Sequence, residues 1–147
     1  VIMSDPYARK LVGHSFYHSK VDIKCNTLVV LDGTLENRGL NMIQPISRAF
    51  PKYAIIELIG TDDPLAAPGA KVDNICYIGF LELKNSGVLL TGDEVIWNGK
   101  KIGTIAGYDD THMPNHQNTI VLMDKRISGK DLGIKINDEI IIKGFTK

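Results

Sequence analysis

The sequence predicts an all-β fold: a small closed or partly open antiparallel β-barrel of about seven or eight strands. Three observations carry that expectation. Short β-branched and apolar runs recur along the chain. Turn dipeptides such as Asp32-Gly33 and Asn98-Gly99 separate them at short spacing. Glycines such as Gly79 interrupt the runs where a strand would bend around a corner. Closure is favoured because it removes exposed strand edges. At 147 residues the chain is expected to be one domain, 1–147, able to bury about two thirds of its unfolded surface.

The elements follow in order. Ser4-Asp5-Pro6 pairs a capping residue with proline, so a short N-terminal helix is expected through residues 10–12, ending near Gly13. Residues 1–18 would then lie on or beside the barrel. In residues 20–31, Val21, Ile23 and Cys25 alternate with Asp22, Lys24 and Asn26, which is the period of a half-buried strand. Asp32-Gly33 and Asn37-Arg38-Gly39 are turns, and residues 40–46 resume as a short strand that Pro45 interrupts. Residues 47–51 read as a loop or single turn, and 53–59 as a strand. A loop opened by Thr61-Asp62-Asp63-Pro64 runs to Pro68-Gly69. Residues 72–83 are strand-like, with Gly79 marking a bulge or a close backbone approach.

Asn85-Ser86-Gly87 turns the chain into a strand at 88–90. Residues 92–97 and 100–105 form a hairpin about Asn98-Gly99, with Trp97 packed across its ladder. The strand character continues to Tyr108 and returns at 119–123. A last strand lies within 133–142, where N-D-E-I at 137–140 echoes G-D-E-V at 92–95. Ser128-Gly129-Lys130 lacks the glycine-rich loop of a phosphate-binding motif and is discounted.

Composition excludes several classes of function. Lysine plus arginine equals aspartate plus glutamate at 17 each, with no long basic run, so no nucleic-acid partner is expected. No apolar stretch reaches the length of a transmembrane helix, so no membrane partner is expected. Cys25 and Cys76 both fall in strand-like segments and read as buried free thiols. With neither a secretory signal nor a disulfide framework, a cytoplasmic protein is expected.

Between the strands at 102–108 and 119–123 lies the most polar stretch, G-Y-D-D-T-H-M-P-N-H-Q-N at 107–118. Loops held by rigid strands are where sites concentrate. Pro114 opposes a helix here, and Met113 occupies the place of a metalloprotease's glutamate, so the H-x-x-x-H spacing is not that motif. The donor set still suits a divalent transition metal, with His112, His116, Asp109 and Asp110 as candidate ligands. The candidate catalytic groups are His116, His112 and Asp110. Arg48, Arg38, Asn115 and Asn118 are the candidate groups for an anionic or sugar-like small molecule. A polar turn built from Asx-type hydrogen bonds is the plainer alternative. His14 and His18 matter only if the fold brings them to His112 and His116.

The segment 92–118, with T-D-D-P at 61–64 and Q-P-I-S-R-A-F at 44–50, resembles a family of small bacterial and archaeal proteins known only as the domain of unknown function DUF6917. That resemblance implies no activity. A fainter one is to the glucitol/sorbitol-specific enzyme IIA of the sugar phosphotransferase system. Gly92-Asp93, residues 102–106, His116 and Asn137-Asp138 match the order of features in that barrel. It implies a β-barrel fold and a phosphorylated histidine that no motif locates here. Three functional readings follow: a small-molecule-binding or catalytic barrel with a His/Asp loop site, a structural module that self-associates as a homo-oligomer, and a histidine phosphocarrier.

Overall fold

A computed structural model describes residues 16–144. Its strands are β1 (Ile23–Val30), β2 (Thr34–Leu35), β3 (Leu40–Asn41), β4 (Ser47–Phe50), β5 (Ile55–Thr61), β6 (Lys71–Val72), β7 (Ile75–Leu83), β8 (Gly87–Leu90), β9 (Glu94–Trp97), β10 (Lys100–Asp109), β11 (Gln117–Leu122) and β12 (Glu139–Lys143). One single-turn helix, α1 (Gly129–Leu132), precedes β12.

Seven strands close a ring in the order β1-β12-β9-β10-β11-β5-β7, with β7 returning to β1. β2 pairs outside the ring on the edge of β7. The all-β barrel is as the sequence suggests, but its expected purely antiparallel pairing needs correction: β5 and β11 run parallel. The reason is parity. Strand directions can alternate all the way around a ring only if the number of strands is even. Seven strands leave one pair pointing the same way, and that pair is β5–β11.

Two further expectations change. Residues 47–50 form a strand rather than a loop, because β8 supplies a partner from Ser47↔Leu90 to Phe50↔Gly87. Within 40–46 only Leu40–Asn41 is a strand, paired with β6, and Met42 adds an isolated bridge to Asp109. The short N-terminal helix expected from Ser4-Asp5-Pro6 through residues 10–12 lies outside the described residues.

The barrel interior is filled by alternate residues of the ring, among them Ile23, Cys25, Ile56, Leu58, Ile78, Leu81, Val95, Tyr108, Val121, Ile140 and Ile142. The β4–β8 ribbon lays Leu89 and Phe50 against this core, and Leu132 and Ile134 of the α1 region join it. A second cluster sits elsewhere, where Leu40, Met42, Ala66 and Val72 pack against Ile59, Ile75, Ala106 and Ile120. The wall near Ile120 is therefore covered by loop and short strands rather than by water.

The turns obey local chemistry. Asn98 and Gly99 both have positive φ, 52° and 74°, as a two-residue hairpin of type I′ requires. Trp97 packs opposite Ile140 and donates its indole N–H to Asp138 Oδ2 at 2.9 Å. A side chain at Gly79 would run into the Val29 carbonyl, so β1 and β7 approach more closely here than any larger residue permits. The echo between residues 92–95 and 137–140 has a shared geometry. Gly92 and Asn137 take positive φ, and the following aspartates each accept a backbone N–H three residues upstream, Leu90 to Asp93 and Lys135 to Asp138. Each then opens a strand, and those strands pair with each other.

Candidate metal centre

Register fixes what stands on the outer wall. Val29 of β1 lies opposite Phe80 of β7, Phe80 opposite Glu57 of β5, Glu57 opposite Asn118 of β11, and Asn118 opposite Asp109 of β10. These five residues form one row across five strands. Glu57 and Asn118 are neighbours because β5 and β11 are parallel and in register. The loop at 110–116 folds back over this row and delivers its histidines to the middle of it.

His116 covers Glu57. Its Nε2 lies 2.9 Å from Glu57 Oε1, with both side chains under a tenth exposed. Its Nδ1 lies 2.9 Å from Asn115 Nδ2. Because that amide nitrogen donates, the ring proton belongs on Nε2, where it bonds to the carboxylate. Phe80 packs edge-on to the same imidazole, with ring centroids 4.9 Å apart and planes at 78°. His112 lies alongside, its ring centroid 5.0 Å from that of His116, and stays exposed on the loop. One ligand-capable atom from each of Glu57, His112 and His116 falls within 4.8 Å of the other two.

The two aspartates turn elsewhere. Asp109 accepts the backbone N–H of Asn41 at 3.0 Å and of Thr111 at 2.8 Å, and the Asn118 side-chain amide at 3.1 Å. Burial pushes its carboxyl up, but the hydrogen bonds from Thr111, Asn118 and Asn41 outweigh it and hold the group below the usual carboxylate range. Asp110 accepts from Gln117 Nε2 at 2.8 Å, and the same amide donates to the Asp109 carbonyl. This is a hydrogen-bonded frame that shapes the loop carrying the histidines.

The remaining candidates are scattered. Arg38 sits in the turn after β2, where its backbone N–H donates to the Asp73 carbonyl. Arg48 lies on β4 opposite Leu89. Neither lines the cavity beside His116. His18 is exposed and outside the histidine cluster, and His14 lies outside the described residues. Asn115 touches His116 directly. Asn118 is fully buried, and its Oδ1 has no hydrogen-bond partner among the described residues. Glu57 was missed by sequence reasoning. Its signal was present: one carboxylate inside the apolar run A-I-I-E-L-I-G at 54–60, where strand packing gives a charge no reason to be.

Fold and site together define a small mixed β-barrel whose outer wall carries two histidines and a carboxylate. The chain belongs to DUF6917, a family of unknown function whose family model matches residues 17–143. No curated protein matches the chain, and no solved structure does. Among the described residues no helix is long and apolar enough to cross a membrane.

Proposed function

We propose that Glu57, His112 and His116 hold one divalent transition-metal ion and that this centre binds or transforms a small molecule. The observation that carries the reading is the convergence of the three donor atoms within 4.8 Å. Two imidazoles and a carboxylate are a donor set used for zinc and non-haem iron, and three protein ligands leave positions open for water or substrate. Donors about 2.1 Å from one ion, at cis or tetrahedral angles, stand about 3.0–3.4 Å apart. The His116–Glu57 separation of 2.9 Å is already close to that spacing. His112 needs a swing of about 1–2 Å to complete it, estimated from the same bond lengths, and it is exposed on a loop.

The protein's own groups support the exchange. If Nε2 held the ion, the His116 proton would sit on Nδ1, and Asn115 with its amide turned would accept that proton's hydrogen bond through its oxygen. Asn118 Oδ1, buried one strand from Glu57 and with no hydrogen-bond partner among the described residues, is an acceptor that a buried water would satisfy. When bound, such an ion acidifies water or polarises a carbonyl. Glu57 is a ligand here, so a proton-moving role falls to other groups of the site.

The phosphocarrier reading gains less from this geometry. A phosphoryl group on His116 Nε2 would face the Glu57 carboxylate at hydrogen-bonding distance, like charge against like. Of the two loop histidines His112 is the open one, and among the described residues no arginine lines the cavity beside its neighbour His116 to steady the charge.

Metal content and affinity test the proposal. Protein purified without an affinity tag is analysed for bound metal and titrated with zinc, nickel, iron(II) and manganese. Near-stoichiometric binding is expected. It should weaken at least about a hundredfold in Glu57→Gln and vanish in H112A/H116A, with the fold retained by circular dichroism. Affinity no tighter than about micromolar, or binding indifferent to these substitutions, overturns it.

A further inference from the structure

Beside the cluster lies a cavity of about 310 Å³ lined by Leu28, Val29, Ile55, Phe80, Asn115 and His116. Four of those six side chains are apolar. The two polar ones, Asn115 and His116, are hydrogen-bonded to each other at one edge. Among the described residues, no lysine, arginine or carboxylate lines the cavity. Val29 and Ile55 are 42% and 44% exposed, so apolar surface lies open beside the buried His116–Glu57 hydrogen bond. Phe80 ties the two regions together, because the ring that walls the cavity also packs against His116.

We propose that this cavity is the ligand pocket of the metal centre, and that its ligand is a small, largely apolar molecule carrying one oxygen-donor end. The inference rests on the metal reading above. Size sets one limit: the space holds about ten water-sized groups, at the lower end of small-molecule pockets. A folded partner or an extended peptide is too large for it. Lining sets the other. A sugar needs hydrogen-bonding groups around its whole edge, whereas here they stand at one end only. An anion with a charged body finds no cation among the described residues. An apolar body against Val29, Ile55 and Phe80 leaves its polar end beside His116, where the metal's open positions would lie.

The test uses zinc-loaded protein and two hydroxamates that share a donor end and differ in body, acetohydroxamate and benzohydroxamate. Isothermal titration should show benzohydroxamate binding at least tenfold more tightly, because only its ring reaches apolar surface. The gap should close in V29S/I55S, and in Ile55→Trp, which fills the cavity from an exposed position. Zinc affinity should be unchanged in all three proteins. Equal affinities for the two probes, with zinc bound, overturn the pocket while leaving the metal centre standing. Failure of zinc to bind overturns both, and metal content alone reads that case. A dimer that V29S/I55S dissociates also overturns the pocket, since a second copy would then be what covers these residues.

Discussion

Asp109 and Glu57 show how position decides the work of a carboxylate. Asp109 receives two backbone N–H groups and one side-chain amide, and its burial leaves no water to replace them. Asp109→Ala should cost about 3 kcal/mol, read as a fall in urea midpoint, because buried donors lose a charged acceptor. The pH dependence follows from the lowered carboxyl. A group whose folded pKa lies below its ordinary 3.8 adds stability above that value and loses it as pH falls through the folded one. The acid limb of the stability profile should therefore flatten in Asp109→Asn. In the sequence Asp109 and Asp110 looked equivalent to ligands, since composition carries no information about which backbone groups a side chain will meet. Glu57 was legible as an anomaly but not as a site. Fifty-nine positions separate it from His116, and only folding shows which loop lands on it.

Strands and turns were the legible elements, because alternation and turn chemistry are local. Residues 23–30 and the Asn98-Gly99 hairpin needed nothing but their neighbours in sequence. β4 was not legible: Arg48-Ala49-Phe50 has no alternation, and it is a strand only because β8 is there to pair with it. Gly79 was read correctly as a place of bulging or close approach, and the Val29 carbonyl is what approaches. Gly79→Ala should lower stability by about 2–3 kcal/mol, since backbone cannot yield as a flexible side chain would. The turn before β9 carries a second test. Asp93 Oδ2 meets Lys20 Nζ at 2.8 Å, their side chains 0% and 11% exposed, and also accepts the Leu90 N–H. Removing one partner of a buried pair leaves the other charge uncompensated, so Asp93→Ala should cost about 3 kcal/mol in chemical denaturation.

Across the whole molecule, ring closure hides what the sequence leaves reactive. Cys25 and Cys76 are both fully buried free thiols. Burial pushes the Cys25 thiol up to about 12 and Cys76 to about 11. Neither should react with a thiol reagent until the barrel unfolds, and the labelling rate should follow the unfolding rate. The alkaline consequence has a definite sign. Folded values above the ordinary 9.0 mean that stability is complete below that pH and is lost progressively as pH rises through about 11 to 12. C25A/C76A should remove that part of the slope. The seven-membered ring has a further consequence for descent. Directions around a closed wall behave like a two-colouring, and an odd cycle forces one like-coloured edge. Here that edge is where Glu57 and Asn118 stand side by side, and where the loop ahead of β11 returns to the same rim as the start of β5. A lineage that gained or lost a single wall strand would have to change its number of such edges.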